Sequence, residues 1–98
     1  MAKQIYGEIN SIRDLIKISK QIRRDVSKAK TAAALTELHK RQSYLVTLTF
    51  SPNFRKKFAR MIGPLRTAAK TQYTKTAKQI NKKAKKLKLN IVYDTYWG

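Results

Sequence analysis

The sequence predicts a mainly α protein, a small bundle of three to four helices, with one or two short strands at about residues 43–50 and 89–97. Three observations predict it. Apolar residues return every three to four positions over most of the chain. Ser51-Pro52 and Gly63-Pro64 punctuate that pattern as a helix start and a helix stop. Two segments, around residues 43–50 and 89–97, can instead be read with the period of two that suits a strand. With 98 residues, 42% of them apolar, one domain spanning 1–98 and one modest core are expected.

The first helix is predicted over residues 8–28. Ile5, Ile9, Ile12, Leu15, Ile16, Ser19, Ile22 and Val26 form a stripe about 140° wide at 100° per residue. Lys17, Asn10, Asp14, Gln21 and Arg24 lie away from it. Asp14 with Lys17 and Asp25 with Lys28 have the i, i+3 spacing of surface ion pairs. Leu35 and Leu38 fall out of phase with this stripe, which argues for a turn around residues 27–30. Thr31, before Ala32-Ala33-Ala34, is then the N-cap of a second helix.

Residues 43–50 fit two patterns. On a helix, Leu35, Leu38, Leu45 and Val46 share a face with Gln42 and Thr49. On a strand, Tyr44, Val46, Leu48 and Phe50 alternate with Leu45, Thr47 and Thr49, and the β-branched and aromatic content favours the strand. Ser51 and Pro52 supply an N-cap and a first helical residue. Phe54, Phe58, Met61, Ile62 and Leu65 then share a face, and Gly63-Pro64 is expected to stop or kink that helix. A last helix is predicted over residues 64–87, with Leu65, Ala69, Tyr73, Ala77, Ile80, Ala84 and Leu87 on its apolar side. In the tail, Leu87, Leu89, Ile91, Tyr93 and Trp97 alternate as in a half-buried strand, paired with residues 43–50 or across a homodimer.

Charge bounds the function. Twenty-three Lys and Arg against five Asp and Glu give +18, a self-repulsion that a polyanionic partner would relieve. The acids are uneven: four fall in the first 37 residues, and none lies between residues 38 and 93, where fifteen Lys and Arg occur. The chain has no cysteine, hence no disulfide and no thiolate metal site. Its first residues lack the apolar core of a secretory signal, and no run approaches the ~18 apolar residues of a membrane span. A soluble, cytoplasmic protein is expected.

Five lysines of the last helix, Lys75, Lys78, Lys82, Lys85 and Lys86, share one side, opposite Tyr73, Ile80 and Leu87. That side is about 16 Å long at 1.5 Å per residue, enough to follow several phosphates. A second cluster, Arg55, Lys56, Lys57 and Arg60, lies away from Phe54 and Phe58, next to a helix start whose amides could also meet a phosphate. Lysine, a point charge, predominates over the bidentate arginine, which points to backbone contact with weak sequence preference. Tyr93, Tyr96 and Trp97 could stack on unpaired bases, although packing of a tail strand on the core is the expected use.

Catalysis has little to stand on. His39 is the sole histidine and no carboxylate sits at i±4, so it is expected on the surface or in a basic patch. Neither a carboxylate pair nor a metal cluster nor a glycine-rich phosphate loop can be assembled, and no metal or cofactor is expected. The expected function is therefore a non-enzymatic, nucleic-acid-binding accessory protein acting on DNA or RNA. The alternative is a small helical interaction protein on an acidic protein target or, less readily, at an anionic membrane surface. The layout of consecutive helical segments in a short chain resembles that of the bacteriocin immunity proteins of Gram-positive bacteria, which implies that alternative. Leu45-Val46-Thr47-Leu48-Thr49-Phe50 is similar to the first strand motif of rolling-circle replication initiators. Those proteins also need a paired-histidine metal motif, which one histidine does not supply.

Overall fold

The computed structural model describes residues 9–97, and among these residues it contains four helices and no strand. They are α1 (Ile12–Lys28), α2 (Ala32–Leu48), α3 (Pro52–Lys57) and α4 (Ile62–Lys86). Three of the four begin on a side-chain cap, where a hydroxyl takes an amide hydrogen that no helical carbonyl can reach. Ser11 Oγ accepts from Asp14 N, Thr31 Oγ1 from Ala34 N and Ser51 Oγ from Phe54 N. Asp14 also reaches back to the Asn10 amide, at 2.9 Å. This reciprocal pair starts α1 at Ile12, later than the predicted residue 8; Ile5 and Glu8 lie outside the described residues.

Helices α1 and α4 run parallel, and α2 runs antiparallel to both. Gln79 Nε2 donates to Arg23 O and Lys83 Nζ to Ser27 O, so positions rise together along α1 and α4. The short turn at residues 29–31 reverses the chain into α2, and Arg66 Nε donates to Thr49 O, joining the end of α2 to the start of α4. Leu15, Ile22, Val26, Leu35, Val46, Leu65, Ala69, Ile80 and Ala84 are fully buried between the three long helices. Each of the larger ones contributes roughly 1.5–3 kcal/mol over an exposed position. Ile18 is buried while Ile12 and Ile16 stay half-buried, because α1 packs on α2 as well as on α4.

Residues 43–50 are not a strand. Helix α2 continues through them to Leu48, since Leu45 and Val46 fall in helical register with Leu35, Leu38 and Gln42, all of them buried. Burial of that shared face outweighs the weaker β preference of individual residues. Thr49 then ends the helix, fully buried, its hydroxyl donating to Val46 O. The break after α3 falls at residues 58–61 and not at Gly63-Pro64. Pro64 is the third residue of α4, where its missing N–H has no helical acceptor to lose.

The tail is not a strand either, yet its alternation is real. Leu87, Leu89, Ile91, Tyr93 and Trp97 are half-buried, while Lys88, Asn90, Val92, Asp94 and Tyr96 are exposed. The segment turns back along α4, facing α2 as well, and side chains hold it there. Asn81 donates to Tyr93 O and accepts from Tyr93 N, both at 2.8 Å, which replaces a neighbouring strand for that residue. The pairing of this segment with residues 43–50 therefore does not occur.

Candidate nucleic-acid interface

The five lysines of α4 stand where helical spacing places them. Lys75, Lys78, Lys82, Lys85 and Lys86 are all exposed, within an arc of about 100° at 100° per residue, opposite the buried Tyr73, Ala77, Ile80 and Ala84. None of the five forms an ion pair with a described residue; the pair seen is Arg41 with Glu37 on α2. The row is thus a line of charges with no described carboxylate paired to it, on a helix anchored by the bundle core.

Arg55, Lys56, Lys57 and Arg60 are exposed as well, but the fold does not bring them to the α4 row. Thirteen residues separate Ile62, the start of α4, from Lys75, about 20 Å along the axis. The cluster sits instead beside the start of α1: Lys57 Nζ donates to Asn10 Oδ1 at 3.1 Å and lies 5.3 Å from the centre of the Phe58 ring. Helix α3 spans six residues and so offers little as an amide-based phosphate site.

Helical spacing on α1 was open to the same reading as on α4, and it marks residues that the charge count alone overlooks. Asp14 caps the helix and Asp25 accepts from Gln21 Nε2, and the expected pairs with Lys17 and Lys28 do not form. Arg13, Lys17 and Lys20, with Ile12 and Ile16, line an open surface depression of about 500 Å³.

Two of the three aromatic residues of the tail are engaged by other rings. Tyr93 stacks on His39, ring centres 3.6 Å apart and 10° from parallel. Trp97 meets Tyr73 edge-on at 5.4 Å. Tyr96 alone of the three stays open, 82% exposed. His39 is accordingly not a surface residue of a basic patch. It is half-buried between α2, α4 and the tail, with Nε2 3.0 Å from Tyr73 Oη. Tyr73 O–H donates to Asp94 O, so the hydrogen in the His39–Tyr73 bond belongs to Nε2 and Nδ1 is the nitrogen that titrates. Burial lowers the His39 pKa below its usual 6.5. The Tyr73 pKa is raised by burial first, then by Asp94 and Tyr93, which keeps its hydroxyl a donor.

Among the described residues no group of three or more His, Asp or Glu converges as a metal site, and no helix is long and apolar enough to cross a membrane. Comparison of the chain with protein-family models, with curated proteins and with solved structures finds no match.

Proposed function

We propose that this chain is a small basic nucleic-acid-binding accessory protein that holds a phosphate backbone electrostatically, with weak sequence preference and no catalytic step. One observation carries the reading: five exposed lysines on one face of α4, spaced over about 16 Å, with no carboxylate of a described residue paired to them. Point charges on a rigid line suit phosphates, whose neutralisation releases condensed counterions and supplies sequence-independent affinity. Lysine at all five positions, with no arginine among them, fits backbone contact and not base reading.

The test replaces all five lysines by glutamine and follows binding of labelled duplex DNA by fluorescence anisotropy across a salt series. Contact with five phosphates corresponds to a slope of log K on log salt near −4.5, from about −0.9 per phosphate. The variant is expected to lose most of that slope and at least about tenfold in affinity at moderate salt. Binding and slope equal to those of the unmodified protein would exclude the α4 row as the site; only weak binding by the unmodified protein itself, lost at physiological salt, would turn the reading towards an acidic protein partner.

A further inference from the structure

The outer face of α1 carries a second row of cations that composition does not single out. Arg13, Lys17, Lys20, Arg24 and Lys28 are all exposed. Their spacing is i, i+4, i+7, i+11 and i+15, which at 100° per residue confines them to about 80° of the helix surface. The buried residues Leu15, Ile18, Ser19, Ile22 and Val26 centre on the opposite side. None of the five cations pairs with a carboxylate of a described residue.

The seam between α1 and α4 fixes how the two rows are related. Arg23 Nη1 donates to Thr76 Oγ1 and Gln79 Nε2 to Arg23 O, so these residues face one another. On α1 the row lies roughly a quarter turn from that seam in the direction of increasing residue angle. On α4 it lies roughly a quarter turn in the opposite direction. For parallel helices, opposite rotations from a shared seam lead to the same side. Both rows therefore face outward together, and α2 covers the other side. They overlap where Lys20 to Lys28 run beside Lys75 to Lys82, because Arg23 is level with Thr76 and Ser27 with Lys83, and Lys85 and Lys86 extend past the end of α1. Towards its start, α1 carries its row on to Asn10, the residue held by Lys57 of the α3 cluster.

Two parallel rows on packed helices, whose axes lie about 8–10 Å apart, present phosphate-binding lines on the order of 10–15 Å apart once the outward side chains are counted. A B-DNA groove separates its two backbones on that scale, about 12 Å for the major groove. A single strand can follow one row at a time. We infer that the partner is a double-stranded nucleic acid, with the α4 row set on one backbone and the α1 row on the other. This rests on the proposed nucleic-acid reading and adds a second site and the strandedness of the ligand.

The test neutralises Arg13, Lys17, Lys20, Arg24 and Lys28 to glutamine. It measures salt-dependent binding of duplex DNA, duplex RNA and single-stranded DNA of equal length, with the α4 variant in parallel. A third variant removes charge off both rows, at Lys40, Lys70 and Lys88, and controls for net charge. The rows are exposed, so the variants should fold; circular dichroism and Trp97 fluorescence confirm that they do. For the unmodified protein the duplex slope is expected to exceed the −4.5 of one row and to approach about −9. The α1 variant should lose up to about 4.5 of this on duplex, while its single-strand binding stays within about twofold. The charge control should retain most of the slope. An unchanged duplex slope in the α1 variant would overturn the inference and leave the α4 reading standing. Equal losses on duplex and single strand, or in the charge control, would also overturn it, since they mark generic attraction. If the unmodified protein binds all three nucleic acids only weakly, with binding that vanishes at physiological salt, the underlying nucleic-acid reading itself fails.

Discussion

Gln42 is fully buried at the centre of the bundle, yet both ends of its amide are hydrogen-bonded. Its Nε2 donates to Ser19 Oγ at 3.0 Å, and its Oε1 accepts from Thr76 Oγ1 at 2.7 Å. Thr76 in turn accepts from Arg23 at 3.4 Å. One side chain thus ties α1, α2 and α4 at a single level, and the tie fixes their relative heights, because a slip along any axis would strand a buried polar atom. Gln42→Ala removes that side chain, taking the donor from Ser19 Oγ and the acceptor from the Thr76 hydroxyl. It should cost about 2–4 kcal/mol in urea unfolding. His39 makes a different prediction. Its folded pKa lies below the value of about 6.5 that it regains on unfolding, so the unfolded chain binds the extra proton first as pH falls. The stability tied to neutral His39 is whole above about pH 6.5 and is lost as pH drops through the lowered folded value. Between about pH 7.5 and about pH 5 the protein should lose more Tm than the His39→Gln variant does. Trp97, the sole tryptophan, packs on Tyr73 and reports the release of the tail by its fluorescence.

At the scale of elements, the end of α4 makes the tail possible. Leu89 N donates to Ala84 O at 2.8 Å and Lys88 N to Lys85 O at 3.1 Å, the pair of bonds that closes a helix in a Schellman motif. The residue between must be left-handed, and Lys88 holds φ at 60° where glycine would be unstrained. Lys88→Gly should therefore raise stability by about 0.5–1 kcal/mol, net of the freedom that glycine gains in the unfolded chain. Thermal unfolding checks it. The starts of α2 and α3 were legible in the sequence, because Thr31 and Ser51-Pro52 act within one turn of themselves. So was the buried face of α4, whose period persists over 25 residues. The region 43–50 was not, since its local preference for strand is overruled by contacts with α1 and α4 that spacing alone does not reveal. In the tail, alternation correctly marked which side chains turn inward. It could not tell that Asn81 and not a second strand would meet the Tyr93 backbone.

For the molecule as a whole, the charge has an address. The five lysines of α4 were readable because the stretch around them lacks acids. The α1 row was masked by Asp14 and Asp25, which lie on the same helix but are turned to its own cap and to Gln21. Only the parallel packing of α1 on α4 puts the two rows on one side, opposite α2. Ten cations of this +18 chain stand in two rows that pair with no carboxylate of a described residue, and the proposed polyanionic partner would meet them there. The most direct test of this claim is the salt dependence of binding of the unmodified protein to labelled duplex DNA, with single-stranded DNA, duplex RNA and anionic vesicles alongside. The account predicts a slope of log K on log salt of about −4.5 or steeper, with a duplex clearly preferred over single strand and vesicle. Weak binding that vanishes at physiological salt, with no preference among the four, would contradict it.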